Sequence, residues 1–164
     1  MTNSFCGNGI YLARFFQVAY VTRDLDRAMQ CFQRQYGVRS FYVQRGNRMD
    51  ENTTTDLALA WLGDTMVELI QPFGNGNSFY ETMLGPEPLG TRLHHFGHLV
   101  PDRAEWDRLT QRIGRDGSSI PLVGSVEGFL SYLYVDERAR TGHYLEYILC
   151  EPAGQAFFDS VPRS

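Results

Sequence analysis

Arg92-Leu93-His94-His95-Phe96-Gly97-His98-Leu99-Val100-Pro101-Asp102 carries three of the four histidines of the chain and sits just past its middle. Its apolar residues alternate with other types and stop at Pro101-Asp102, the pattern of a strand running into a helix that Asp102 caps. Phe16-Gln17-Val18-Ala19-Tyr20-Val21-Thr22-Arg23-Asp24 has the same form. Laying His95 on Gln17 puts Gly97 on Ala19 and Asp102 on Asp24, so one unit is used twice. Each unit also holds a later strand with a lone carboxylate among apolar neighbours, Met66-Val67-Glu68-Leu69-Ile70 and Tyr144-Leu145-Glu146-Tyr147-Ile148. Glu68 follows Gln17, and Glu146 follows His95, by the same 51 residues.

Working outward, residues 1–13 show no period and read as an N-terminal arm. The first module spans 14–75. Its strand at 15–21 leads into an amphipathic helix with Leu25, Ala28, Met29, Phe32 and Tyr36 at helical spacing, Asp24 as N-cap and Gly37 as C-cap. Strands at 40–44 and 56–62 follow, separated by a polar loop at 45–55, and Gly63-Asp64 turns the chain into the Glu68 strand as a hairpin. The stretch from Gln71 to Gly90 is rich in Gly, Pro and Asn; residues 76–91 read as a linker, with a short helix confined to 78–84. The second module, 92–151, repeats the order: strand 93–100, helix 102–115, strands 120–123 and 129–135, loop 136–142 and the Glu146 strand. A tail at 152–164 holds a short closing helix. Two βαβββ modules predict an α+β fold with eight strands.

A chain of 164 residues with 43% hydrophobic and 13% aromatic content can bury a real core. A formal net charge of −4 and scattered arginines argue against nucleic acid as a partner. Residues 1–10 lack the basic and apolar regions of a secretory signal, and no apolar run is long enough to span a bilayer, so a cytoplasmic location without membrane partners is expected. Cys6, Cys31 and Cys150 are widely spaced and odd in number, which suits reduced thiols rather than a disulfide framework.

Side chains alternate across a strand, so Gln17, Ala19 and Val21 share one face, while Phe16, Val18 and Tyr20 suit packing beneath the helix. The same logic puts His95, Gly97 and Leu99 on the concave face and assigns His94 and His98 to the helix side. A register slip of one residue would instead present His94 as the ligand. His98 and His143 each lie three residues from a proposed ligand and read as structural or exposed. Glu68 and Glu146 sit in mid-strand, where an unpaired ionised carboxylate is costly unless a cation or donor meets it. An amide oxygen, an imidazole and two carboxylates from matched positions can meet at one cation.

These residues carry a resemblance. The segments Gln17-Val18-Ala19-Tyr20-Val21-Thr22-Arg23-Asp24, Val67-Glu68-Leu69-Ile70-Gln71-Pro72, Leu93-His94-His95-Phe96-Gly97-His98 and Gly142-His143-Tyr144-Leu145-Glu146-Tyr147 resemble the metal-binding strands of the vicinal oxygen chelate superfamily. That group includes glyoxalase I, methylmalonyl-CoA epimerase, extradiol dioxygenases and bleomycin-resistance proteins. The resemblance runs from about Phe15 to Glu151 and implies an eight-stranded half-open barrel. It places the metal ligands on Gln17, Glu68, His95 and Glu146, a set closer to glyoxalase I than to the dioxygenases, which would want His where Gln17 stands. Three oxygen donors and one nitrogen suit Mg, Mn, Co, Ni or Zn. The arginines with which glyoxalase I holds glutathione fall here on Val21 and Thr91, with Arg92 one position off.

The resemblance further implies a metal-dependent lyase or isomerase/epimerase working by proton transfer next to a carbonyl, on a small substrate with two chelating oxygens. Glu146, or else Glu68, is the expected general base. Concave-face residues Leu59, Trp61, Tyr132, Tyr134 and Tyr144 are candidates for the pocket wall and suggest an apolar or aromatic substrate body, although aromatic residues on strands are equally often plain core. The alternative is a metal-free protein of the bleomycin-resistance type that sequesters a small molecule. In this superfamily the cup closes within one chain or across a two-fold dimer, and a homodimer is expected.

Overall fold

Two aspartates start the two long helices. In the computed structural model, which describes residues 13–48, 53–74, 78–87 and 90–164, the Arg27 N–H donates to the Asp24 carboxylate at 2.9 Å and the Glu105 N–H to that of Asp102 at 2.8 Å. Helix α1 (Leu25–Tyr36) ends on Gly37 and helix α2 (Arg103–Asp116) on Gly117, both left-handed, with φ of 75° and 66°. Each cap satisfies orphan amide or carbonyl groups that the helix leaves open. Asp24→Ala is expected to cost about 1 kcal/mol of unfolding free energy. An unchanged urea midpoint would show that this cap contributes nothing.

The first module runs β1 (Arg14–Thr22), α1, β2 (Tyr42–Arg48), β3 (Thr54–Leu62) and β4 (Thr65–Phe73). The second runs β5 (Thr91–Leu99), α2, β6 (Leu122–Val126), β7 (Leu130–Asp136), the single turn α3 (Arg138–Thr141), β8 (Tyr144–Cys150) and α4 (Pro152–Ser160). All eight strands join one sheet in the order β2-β3-β4-β1-β5-β8-β7-β6, strongly curled into a half-barrel. Parallel pairs β1·β4 and β5·β8 flank a central antiparallel seam between β1 and β5. That seam brings the matched strands of both modules together within one chain. No described helix is long and apolar enough to cross a membrane.

The convex face carries both long helices. Leu25, Ala28 and Phe32 of α1 pack on Ala58, Ala60, Val67 and Leu69, and Trp106, Leu109 and Ile113 of α2 pack on Leu133, Val135, Tyr147 and Leu149. The concave face is filled from within the chain. At one end α4 brings Phe158 and Val161 against Phe16, Leu59, Trp61, Met66 and Ile148. At the other, the segment around a 3₁₀ turn at Glu81–Met83 lays Tyr80 on Ala19, Val21 and Ile70.

Several boundaries depart from the sequence expectation. Strand β2 runs to Arg48 through residues expected in the loop at 45–55, because the Gly46 N–H and the Arg45 guanidinium both bond Asp56 across the pair, at 2.8 and 2.9 Å. Residues 49–52, and the arm at 1–12, lie outside the described residues. Strand β6 begins at Leu122, later than expected. As edge strands, β2 and β6 need only one neighbour and carry little burial pattern to mark their ends. The loop at 136–142 contains α3, and β4 runs past the expected Met66–Ile70 as far as Phe73.

The main correction concerns Phe16 and His94. Both were expected beneath the helices, and both turn to the concave face, because each is an extra residue in the β1·β5 seam. The register steps from Phe15↔His98 to Gln17↔Gly97, skipping Phe16, and from Ala19↔His95 to Tyr20↔Leu93, skipping His94. A bulge sets consecutive side chains on one face, which the alternation rule does not allow. The two bulges occupy the same place in the two modules.

Candidate metal centre

Gln17 on β1, Glu68 on β4, His95 on β5 and Glu146 on β8 converge at the middle of the concave face. The parallel registers are responsible. Ala19 pairs with Glu68 and Gly97 with Glu146, so each carboxylate stands beside a small residue of the adjoining strand. Across the seam Gln17 pairs with Gly97, and Ala19 with His95. A Cβ on Gly97 would come within 2.5 Å of the Gln17 Oε1 and 2.8 Å of its Cβ, so the close approach requires glycine.

The His95 Nε2 lies 3.4 Å from Glu68 Oε2 and 3.1 Å from Glu146 Oε2, and the Gln17 Nε2 donates to Glu68 Oε2 at 3.1 Å. One ligand atom from each of Glu68, His95 and Glu146 falls within a 4.8 Å cluster. The His95 side chain is fully buried, and the two carboxylate side chains are 14% and 9% exposed. Two buried polar atoms, Gln17 Oε1 and His95 Nε2, have no hydrogen-bond partner of good geometry. An amide oxygen without a donor, beside an imidazole and two carboxylates, makes a mixed oxygen and nitrogen set that fits a hard or borderline divalent cation.

Burial raises the Glu68 carboxyl above its ordinary range, with the Glu146 charge adding to it and His95 opposing it. Burial also works against a charge on His95, but Glu146 and Glu68 outweigh it and hold the imidazole up, at about 9. Burial drives His94 well below the usual histidine range, and the neighbouring His95 charge pushes it the same way.

The remaining expected residues divide into two groups. Tyr134 packs 5.1 Å from the His95 ring, and its phenol is pushed well above 10 by burial and by Glu146. Tyr144 stacks against His94 and Phe79, and Arg138 lies over its outer face. Tyr132 stands two residues along β7 and packs over Gly124. Leu59 and Trp61 instead lie under α4, where the Trp61 indole N–H donates to the Phe158 carbonyl at 2.9 Å. His98 stacks on Tyr147 on the convex side, and His143 against Phe96. Sequence reasoning passed over Phe79 and Tyr80, which roof the cluster. Tyr80 meets the Tyr134 hydroxyl at 3.3 Å, and Phe79 packs on His94, Tyr134 and Tyr144. Two adjacent aromatics in a Gly- and Asn-rich stretch were the available signal.

The family model described as the Glyoxalase/Bleomycin resistance protein/Dioxygenase superfamily matches residues 16–118. No curated protein sequence matches the chain. Among solved structures, the chain is similar to methylmalonyl-CoA epimerase from Mycobacterium tuberculosis, with a TM-score of 0.64 and 14% identity over 93% of this chain and 97% of that one. It is also similar to a Streptomyces coelicolor methylmalonyl-CoA epimerase in complex with 2-nitronate-propionyl-CoA, with a TM-score of 0.60 and 13% identity over 85% and 99%. A hypothetical protein from Bacillus halodurans gives a TM-score of 0.61 at 10% identity over 86% and 96%. At these identities the likeness is one of fold.

Proposed function

Because the chain belongs to the Glyoxalase/Bleomycin resistance protein/Dioxygenase superfamily, we propose that it is a divalent-metal-dependent isomerase of the epimerase type, moving a proton on the carbon next to a carbonyl. One observation carries the reading: two buried carboxylates from matching strands stand 3.4 and 3.1 Å from a single buried imidazole. Gln17, Glu68, His95 and Glu146 would hold the ion, which when bound supplies Lewis-acid stabilisation of negative charge on a carbonyl oxygen. Glu146 takes the proton as general base, and Glu68, from the matching strand of the other module, is placed to return one from a second direction. The Tyr134, Phe79 and Tyr80 rings exclude water, which protects a carbanion-like centre from stray protonation. The similar epimerases are named for methylmalonyl-CoA, so thioesters of 2-substituted malonic acids head the panel to be screened.

Exchange of the substrate α-proton in D2O, followed by NMR with metal-loaded protein, tests the proposal. Loss of exchange in Glu146→Gln supports it; absence of both bound ion and exchange in the wild type overturns it. The sequestering alternative draws on the Gln17 amide, which turns its N–H, and not its oxygen, to Glu68 at 3.1 Å. Tight binding of a flat ligand by ion-free protein would favour it.

The imidazole predicts a pH signature. With its value held near 9, His95 carries a proton at neutral pH in ion-free protein, and an incoming ion must displace it. Metal affinity is therefore expected to rise with pH up to about 9 and then level off, with proton release seen as buffer-dependent heat in calorimetry. Stability of the ion-free protein runs the other way. Its His95 contribution is present in full below the ordinary value of 6.5 and is lost as pH rises through about 9. Heats independent of the buffer would refute both statements.

A further inference from the structure

His94 is as buried as its neighbour, and its Nδ1 lies 2.8 Å from the His95 Nδ1. The strand bulge brings this about, since an unbroken strand would send the two rings to opposite faces. Four aromatic rings, Phe79, Tyr80, Tyr134 and Tyr144, pack around His94 and fix its plane. Two ring nitrogens at this distance share one proton: with none their lone pairs repel, and with two their N–H groups do. We propose that His94 is a positioning residue that sets the tautomer of His95, accepting its Nδ1–H so that Nε2, the nitrogen beside Glu68 and Glu146, is the one offered to a bound ion.

The chemistry follows from what a bound ion demands. An imidazole that gives its Nε2 lone pair to a cation stays neutral only by keeping its proton on Nδ1, and in a fully buried ring that N–H needs an acceptor. His94 Nδ1 is that acceptor. Its own proton then sits on Nε2, a buried atom with no hydrogen-bond partner of good geometry, packed beneath the Phe79 ring. A neutral acceptor brings no third negative charge, so a divalent ion with Glu68 and Glu146 makes an uncharged centre. The first module supplies the contrast. The same bulge position holds Phe16 beside Gln17, and an amide ligand has no tautomer to set.

Phe16 also shows that the fold accepts phenylalanine at this place, which makes His94→Phe the natural test. The inference rests on the proposed function, and the experiment separates the two. Wild type, His94→Phe and His94→Asn are titrated with Mn(II) and Zn(II), with thermal unfolding as the check on folding. The expected result is a loss of ~10–100-fold in ion affinity for His94→Phe, the range typical when a ligand's outer partner is removed. His94→Asn, whose Oδ1 restores an acceptor, returns to within a few-fold of wild type. Long-range 1H–15N spectra of the Zn-loaded wild type should show His94 protonated on Nε2 and bare on Nδ1. They supply the readout if His94→Phe does not fold. A folded His94→Phe that binds as wild type does, or a proton on His94 Nδ1 in the loaded protein, overturns the inference alone. A wild type that binds neither ion overturns the proposed function, and this inference with it.

Discussion

His95→Ala is expected to abolish stoichiometric divalent-ion binding, a larger loss than the ~10–100-fold that removing an outer partner causes. His95 is the nitrogen donor of the cluster and touches both carboxylates, at 3.4 and 3.1 Å. Its removal also deprives two buried acids of their cationic neighbour in ion-free protein. Breaking a buried ion pair costs about 3–5 kcal/mol when the remaining charge has no partner. Glu68, already raised by burial, is then driven further towards its protonated form. A carboxyl with a raised folded value stabilises the fold below its unfolded value, and that contribution is lost as pH rises through the folded one. The variant should therefore unfold earlier than wild type at neutral pH and recover part of the difference on acidification. Equilibrium dialysis with metal analysis, and melting curves from pH 5 to 8, check the two halves. Full ion occupancy in the variant would remove His95 from the centre.

Trp61→Ala is expected to cost about 3–5 kcal/mol, the range for emptying a large aromatic site in a packed core. Trp61 is 4% exposed, packs against Phe16, and donates its indole N–H to Phe158. Its main chain also holds the C-terminal residues, donating to the Pro162 carbonyl and accepting from the Ser164 N–H. The Arg163 guanidinium covers its ring at 4.7 Å. The substitution therefore removes the surface on which α4 and the tail dock, and protease cleavage after residue 150 should quicken along with the fall in urea midpoint. A loss below ~1 kcal/mol, which is the size of an ordinary substitution, would show that α4 docks without it.

What the sequence revealed and what it hid divide along the range of the forces involved. The helix caps at Asp24, Gly37 and Asp102 were legible because capping depends on residues within one turn. The convergence of Gln17, Glu68, His95 and Glu146 was legible because duplication repeats the spacing and alternation fixes the face. Phe16 and His94 were placed on the wrong side because a bulge belongs to a pair of strands, and neither strand alone announces it. The 79–84 segment looked like a linker by composition. Its role came from the tertiary contacts of Phe79 and Tyr80 with His94 and Tyr134, which no local pattern encodes.

The seam between β1 and β5 has a further meaning. Its partners exchange under a half-turn about Val18 and Phe96: Gln17 with Gly97 becomes His95 with Ala19, and Phe15 with His98 becomes Leu93 with Tyr20. Such a self-complementary edge is what two copies of a single half-length chain would use to associate. Within one chain the two halves need not be identical, and they differ at the centre of the seam. An amide stands where the other half has an imidazole, and a phenyl ring where the other half has a second histidine. The chain thus keeps a two-fold backbone register along its central seam while the two sides of the cluster differ in their side chains.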